Sequence, residues 1–283
     1  MEKLDIIIPA YNEQDTIGGI IKEIRGVLGS SCRILVVDDA STDKTGETAL
    51  ANGAEVIRHP YRIGNGAAVK TGLRQAKGDI AVFMDGDGQH LPREIPLLLS
   101  QMENFDMVIG ARDFSGFSSR NIANRAYNLF ASYITRFKIR DLTSGFRAVK
   151  REKALKFVYL LPNGFSYPTT ITLSFLKTGR TIKYVPISSK KRKEGRSKIN
   201  LLEDGVRFFL IIVRIATFFS PLRVFLPVSI FFFACGLLNY LHTYFTSGRF
   251  TNMSVLLFIT SLIIFMLGLI SEQISQLRMD RTE

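Results

Sequence analysis

Ile80-Ala81-Val82-Phe83-Met84-Asp85-Gly86-Asp87-Gly88-Gln89-His90 sets five apolar residues directly against a turn carrying two carboxylates, two glycines, an amide and an imidazole. A short apolar run bounded by turn residues reads as a strand covered on both faces, with the acidic turn at its carboxyl end. Two carboxylates at a spacing of two, with an amide two residues further on, offer several oxygens to a hard cation. Gly86 and Gly88 let the backbone bend closely around it. A calcium EF-hand is disfavoured, because its twelve-residue loop with a terminal glutamate is absent.

The same alternation extends to both sides of this stretch. β-prone runs at residues 5–9, 33–38, 55–58, 79–84 and 107–110 alternate with helical patterns at 16–28, 44–52, 67–76 and 92–102. Repeated β-α units predict an α/β domain with a mostly parallel, Rossmann-like sheet, and such sheets bind ligands beyond the carboxyl ends of their strands. The first strand ends in Pro9-Ala10-Tyr11-Asn12-Glu13 and the second in Asp38-Asp39-Ala40-Ser41, so three polar clusters are expected on one edge. An acidic or hydroxyl residue after a strand is also a common helix cap, and for Asp39 and Ser41 both readings stand. No Gly-x-Gly-x-x-Gly follows the first strand and no Gly-Lys-Ser/Thr loop occurs, which disfavours a dinucleotide dehydrogenase or a P-loop nucleotidase. Gly64-Asn65-Gly66 opens a helix, either as an anion-binding turn or as a glycine turn with no ligand.

After residue 201 the composition shifts to Phe, Ile, Leu and Val. Residues 224–244 are 21 without a formal charge, about 31 Å as a helix, and 253–270 are a further 18. The short polar link 245–252 between them predicts a membrane hairpin; a buried helical hairpin in a soluble protein is the competing reading. Asn239 and His242 fall near the outer end of the first helix, where interfacial roles are favoured over a site. Residues 201–221 contain Arg207 and Arg214, seven apart and so on one helical face, which predicts an amphipathic helix lying in the interface and ending at Ser220-Pro221.

The 37 Lys and Arg exceed the 25 Asp and Glu by 12. Lys190, Lys191, Arg192, Lys193, Arg196 and Lys198 crowd just ahead of the apolar region, a placement that favours a membrane surface over nucleic acid. Basic residues also flank the hairpin, while its link holds only Arg249, so the positive-inside rule puts the soluble domain and the C-terminus in the cytoplasm. Cys32 in a predicted strand and Cys235 in a predicted membrane helix are not expected to pair, which fits a reducing compartment. The chain starts on a short strand-like run and lacks the pattern of a signal peptide.

Taken with Asp141-Leu142-Thr143-Ser144-Gly145-Phe146-Arg147 and the basic stretch from Arg192 to Lys198, the three strand-end clusters resemble family-2 glycosyltransferases, in particular the branch of dolichyl-phosphate mannose synthase and bacterial polyprenyl-phosphate glycosyltransferases. The resemblance implies a GT-A catalytic domain, taken over 1–200; the composition and charge pattern add an interface helix over 201–221, transmembrane helices at 222–246 and 252–272 and a cytosolic tail at 273–283. It implies that Pro9, Tyr11, Glu13 and Asp38 line the nucleotide pocket and that Asp85, Asp87 and Gln89 hold Mg²⁺ or Mn²⁺ against the donor diphosphate. Arg112 and Arg125 would receive a lipid phosphate with Ser144 nearby, and Arg192 and Lys198 would belong to a loop closing over the donor. Asn65 departs from the pattern, since relatives often carry a basic residue there. Inversion at the sugar C1 is also implied.

The implied chemistry follows from charge. A leaving diphosphate needs its negative charge neutralised, which a divalent cation supplies. A polyprenyl phosphate is already ionised at neutral pH and needs no general base; arginines instead overcome repulsion between two anionic substrates. The expected catalytic set is therefore Asp87, Arg112, Arg125 and Asp141, with Asp141 either positioning the acceptor or capping the turn at 143–145. A membrane glycosyltransferase with a hydroxyl acceptor, a sugar or diacylglycerol, would need a base. A catalytically silent membrane scaffold is the third reading. GDP-mannose, UDP-glucose and UDP-N-acetylglucosamine all remain open as donors, and a small membrane hairpin often packs against copies of itself, so a homo-oligomer is carried as a partner expectation.

Overall fold

Six of the seven residues of Leu4–Ala10 (β1) are buried, as a central strand covered on both faces requires. The protein is described by a computed structural model over residues 3–112, 119–164, 166–188 and 217–280, with side chains for all of these except 119–123 and 278–280. Around β1 the chain lays down Gln14–Leu28 (α1), Cys32–Asp38 (β2), Thr45–Ala51 (α2), Glu55–Arg58 (β3), Asn65–Gln75 (α3), Ile80–Phe83 (β4), Ile95–Leu99 (α4), Met107–Ala111 (β5), Ser119–Thr135 (α5), Arg147–Lys150 (β6), Arg151–Leu155 (α6), Tyr167–Lys177 (α7) and Ile182–Pro186 (β7).

Among the described residues these strands form one seven-stranded sheet in the order β3-β2-β1-β4-β6-β5-β7. β1 pairs in parallel with both neighbours, Ala10 opposite Asp38 and Ile7 opposite Phe83. The ladder continues past the strand ends, where Asp39 N donates to Ala10 O (2.9 Å) and Met84 N to Ile7 O (3.1 Å). This register fixes the carboxyl ends of β1, β2 and β4 side by side, so the Tyr11, Asp38 and Asp85 clusters share an edge.

The pleat divides the core. Ile6 and Ile8 pack with Ile17, Ile20, Ile21 and Ile24 of α1, whose spacing makes one apolar stripe; Leu35 and Val37 meet Ala68 of α3 on the opposite face. Each such isoleucine contributes about 1.5–3 kcal/mol by leaving water.

Two features depart from the periodicity. The helix expected over 92–102 is a 3-10 turn, Pro92–Glu94, followed by the five residues of α4. Pro92 and Pro96 explain this: each lacks an amide hydrogen and is tolerated only in a first turn, so the segment restarts rather than continues. β6 runs antiparallel between β4 and β5, pairing Phe83 with Arg147 and Met107 with Val149. Its two apolar residues flanked by charges carry too weak a pattern to read as a strand.

Residues 199–283 form a second compact unit. Pro221–Ser247 (α8) and Asn252–Asp280 (α9) pack against each other, and both are long and apolar enough to cross a membrane. Polar contacts join them: Ser229 Oγ donates to Ser261 O and Ser261 Oγ to Ser229 O, each at 2.9 Å. The Asn239 amide donates to Ser254 Oγ (2.9 Å) and Thr251 Oγ1 (3.2 Å), so Asn239 bridges the two helices near their link rather than simply facing an interface. Gly248, at φ 62°, ends α8 by donating to Tyr244 O. The predicted interface helix falls largely on residues outside those described.

Candidate active site

The acidic turn after β4 bends at Gly88, φ 73°, and Gln89 N donates to Asp87 Oδ1 at 3.1 Å. Thr16 Oγ1 donates to Gly86 O at 2.7 Å, which ties the first turn of α1 to this loop. Asp85 is partly exposed, and its Oδ2 lies 3.8 Å from Nδ1 of the buried His90, whose ring stacks on Phe146. On its other side, a Cβ added to Gly145 would lie 2.6 Å from the same oxygen, so only glycine lets the 142–146 turn lie this close. That turn is held from beneath. Arg147, fully buried, donates through Nη1 to Pro168 O and Thr172 Oγ1 (both 3.0 Å) and through Nη2 to Ser144 O.

On the nucleotide side Pro9 is buried in β1, and the Arg62 guanidinium sits 4.1 Å above the Tyr11 ring. Asp38 is 1% exposed; Oδ1 accepts from Ser41 N (2.8 Å), while Oδ2 has no hydrogen-bond partner and lies 3.7 Å from Arg58 Nε. Glu13 precedes α1, and its amide donates to Thr45 Oγ1. The two strand-end loops are stitched together by Asn12 N donating to Ser41 Oγ (3.0 Å) and Thr42 N to Asn12 Oδ1 (2.8 Å).

Neither Asp39 nor Ser41 caps α2. That role falls to Asp43, which accepts from Thr45 N at 3.0 Å, leaving Ser41 to receive Asn12. Asp39 accepts from Ile63 N (2.9 Å) and Gly64 N (2.8 Å) and contacts His59 Nδ1 at 2.7 Å. Burial alone pushes the Asp39 carboxyl up, but the bonds from His59, Ile63 and Gly64 outweigh it and hold its pKa below 3.8. At the Gly64-Asn65-Gly66 turn Gly64 N is used by Asp39, any side chain on Gly66 would overlap the backbone carbonyls of Pro162 and Gly164, and just beyond it Ala67 N donates to Asn163 O (3.1 Å).

The remaining residues meet at the end of β5. Arg112 donates through Nε to Asp141 Oδ2 (2.7 Å) and through Nη2 to Asp141 Oδ1 (3.0 Å) and Thr143 Oγ1 (2.7 Å). Asp141 is fully buried and also caps Thr143 N at 3.1 Å, so it performs the capping role and fixes Arg112 as well. Burial pushes the Arg112 pKa down, but Asp141, with the more distant charges of Asp85 and Asp87, raises it above the ordinary value. Arg112 and Arg125 line one groove of about 790 Å³, together with Arg136, Lys138 and Arg140 and the apolar Leu129, Phe137, Ile139, Pro186 and Ile187. Ser144 does not line it. Its side chain is buried, with Oγ lacking a hydrogen-bond partner. Arg192 and Lys198 lie outside the described residues.

Sequence reasoning missed His90, Gly145 and Arg147 as neighbours of Asp85, and Arg136, Lys138 and Arg140 as neighbours of Arg125. The first three stood in motifs already singled out; the last three carried a signal in their alternation with Phe137 and Ile139. Among the described residues no group of three His, Cys, Asp or Glu side chains could hold a metal ion by itself. Two carboxylates and an amide at 85, 87 and 89 nevertheless fit a hard cation that completes its shell with phosphate oxygens of a ligand.

The model of glycosyl transferase family 2 matches residues 5–157, more than half of the chain. The chain belongs to that family. This glycosyltransferase has the GT-A-like, mostly parallel sheet expected of it, and a second model, the GtrB C-terminal hairpin, matches residues 220–277. Two apolar helices and that match fit a membrane-anchored protein. It is 31% identical over 210 residues to an undecaprenyl-phosphate mannosyltransferase of Micrococcus luteus, covering 69% of this chain and 86% of the relative. To a dolichol-phosphate mannosyltransferase of Pyrococcus furiosus it is 34% identical, covering 70% of this chain and 59% of that one. Among solved structures, glucosyl-3-phosphoglycerate synthase from Mycobacterium tuberculosis in complex with Mn²⁺, uridine diphosphate and glucosyl-3-phosphoglycerate matches with a TM-score of 0.60 at 25% identity, over 75% of this chain and 78% of the other. Membership of an enzyme family removes the silent-scaffold reading.

Proposed function

We propose that this glycosyltransferase moves a hexosyl group, with inversion, from a nucleoside-diphosphate sugar to the phosphate of a polyprenyl phosphate at the cytoplasmic face of a membrane. The observation that carries the reading is the lining of the groove beside Arg112: five cations and several apolar side chains, and among its described lining residues no carboxylate or imidazole. A phosphate acceptor needs cations and no base; a hydroxyl acceptor needs a base. Asp141 does not supply one, because both its oxygens are engaged by Arg112 and Thr143. The names of the mannosyltransferase relatives support the same acceptor class.

In this reading Tyr11, Glu13, Asp38 and Pro9 receive the nucleoside, Asp38 offering its unpartnered Oδ2 to a donor N–H or O–H. Asp85, Asp87 and Gln89 hold a divalent cation, which when bound neutralises charge on the departing diphosphate. Arg112, kept protonated and locked by Asp141, stands between the acidic turn and the groove, so an acceptor phosphate bound to it and to Arg125 is brought towards the sugar carbon with little conformational freedom left to lose. The scarcity of basic residues in the hairpin link, Arg249 alone, supports the cytoplasmic orientation.

The test is incubation of the purified full chain in detergent with a panel of GDP- and UDP-sugars, polyprenyl phosphate or diacylglycerol, and Mg²⁺ or Mn²⁺, with products read by mass. A hexosyl phosphopolyprenol that fails to form after chelation is the expected product; a glycosylated hydroxyl lipid would overturn the acceptor assignment.

A further inference from the structure

We propose that Arg62 is a donor-binding residue, whose guanidinium leaves the face of the Tyr11 ring to hold the diphosphate of the nucleotide sugar. The inference rests on the donor reading above and adds to it a cation that the three strand-end clusters do not contain.

The loop that carries Arg62 is pinned at both ends to the carboxyl end of β2. His59 N donates to Asp38 O at 2.8 Å, and the His59 ring sits between Asp39 Oδ1 (2.7 Å) and Thr71 Oγ1 of α3 (2.9 Å). Further along, Ile63 N and Gly64 N both donate to the Asp39 carboxylate. The backbone at Arg62 therefore has little freedom, although its side chain is exposed. The guanidinium carbon is 4.1 Å from the centre of the Tyr11 ring, and among the described residues the group makes no ion pair or hydrogen bond. A cation lying on an exposed ring is weakly held. The loop thus brings a long charged side chain to the nucleotide pocket, where a stronger anion can lift it from the ring at small cost.

Charge decides which part of the donor it meets. The expected lining of the pocket is acidic, with Glu13, Asp38, Asp85 and Asp87. A diphosphate arriving there meets repulsion that a divalent cation, shared with the same carboxylates, offsets only in part. Neighbouring cations are committed elsewhere. Arg58 Nε lies 3.7 Å from Asp38 Oδ2 and its Nη2 donates to Ser41 O (2.8 Å), while Lys70 Nζ donates to Asn163 Oδ1. The turn at 64–66 carries no charge, and Gly64 N is already taken by Asp39. A guanidinium binds phosphate oxygens through two parallel N–H bonds, more strongly than it binds a ring face. A neutral nucleobase would gain little from a charge that a phosphate uses in full.

The test is calorimetric titration of the purified full chain in detergent with GDP and with UDP in the presence of Mn²⁺, with guanosine and uridine run as competitors at high concentration. Arg62→Ala should weaken binding of the preferred diphosphate about 10- to 100-fold, the loss of charged hydrogen bonds, while the matching nucleoside competes as it does in the wild type. The loss should persist at saturating Mn²⁺, and Arg62→Lys should recover part of it. Both variants should melt at the wild-type midpoint, since Arg62 is exposed. In turnover the donor KM should rise while the KM for polyprenyl phosphate stays in place. An unchanged diphosphate affinity in Arg62→Ala would overturn the proposal. So would an equal loss for nucleoside and diphosphate, which would make Arg62 a cover for the base, or a loss that rising Mn²⁺ cancels, which would make it act through the metal. Each of these leaves the donor reading standing, whereas a wild type that binds neither GDP nor UDP would overturn that reading and this assignment with it.

Discussion

Replacing Gly145 by alanine separates catalytic geometry from stability. The added Cβ would lie 2.6 Å from Asp85 Oδ2, and ordinary contact begins near 3.4 Å, so the oxygen must retreat by about 0.8 Å. Gly145 is not among the positive-φ residues, so alanine brings no backbone strain with it. Asp85 has room to move because its side chain is 30% exposed, so the folding cost should stay within about 0.5–1 kcal/mol. The functional cost should be larger. Misplacing a reacting or metal-holding group by about 1 Å typically loses on the order of 10²-fold in rate. The assay is kcat measured across a Mn²⁺ titration, alongside the thermal midpoint of the catalytic domain. A fall of about 100-fold in kcat with a weakened metal response and a nearly unchanged midpoint is expected. Combined with Asp85→Asn the losses should not add, since both act through one carboxylate. A variant within twofold of the wild type, or one whose midpoint collapses along with its rate, would refute the idea that this turn sets the position of Asp85.

Arg125→Ala should raise the KM for polyprenyl phosphate about 10- to 100-fold, from the loss of about 1.5–3 kcal/mol of charged hydrogen bonding, while leaving the donor KM and the thermal midpoint in place because Arg125 is exposed. Asp141→Asn should destabilise the domain by about 3 kcal/mol, read by denaturant unfolding, because it leaves Arg112 without its buried counter-charge. Its activity loss should be restored neither by raised pH nor by added base, as a lost general base would be. The Asp39 carboxyl is held below its ordinary 3.8 in the folded state, so its contribution is present above that value and disappears as the pH falls through the folded pKa. Unfolding measured from pH 7 down to strong acid should therefore show Asp39→Asn less stable than the wild type at neutral pH, with the gap closing only below pH 3.8; a gap that closes between pH 5 and 7 would contradict this.

The strand-end clusters at 9–13, 38–41 and 85–90 were legible because parallel β-α repeats force the carboxyl ends of consecutive strands onto one edge. Their register, Ala10 opposite Asp38 and Ile7 opposite Phe83, follows that rule. The hairpin was legible because apolar length alone distinguishes a candidate span. The antiparallel insertion of β6 was not legible, since four residues with two charges are held as a strand by their neighbours rather than by their own pattern. Asp39 illustrates the same limit. Its local sequence allowed a cap or a ligand contact, while its actual partners, His59, Ile63 and Gly64, come from twenty or more residues away.

By itself the sequence determined the alternation of buried strands and helices, the acidic turn with its glycines, the segregation of cations towards the apolar C-terminal half, and two helices long enough to span a membrane. These are consequences of short-range periodicity, composition and length, which a linear string contains in full. Only the tertiary structure decided that Asp141 locks Arg112, that Gly145 and His90 flank Asp85, that Gly64 N is taken by Asp39 while Gly66 lies against the 162–164 backbone, and that Arg125 opens into a groove whose described walls carry cations and no base. Each of those depends on side chains distant in sequence meeting at hydrogen-bond range, and that meeting is fixed by sheet order and register, which sequence periodicity does not specify.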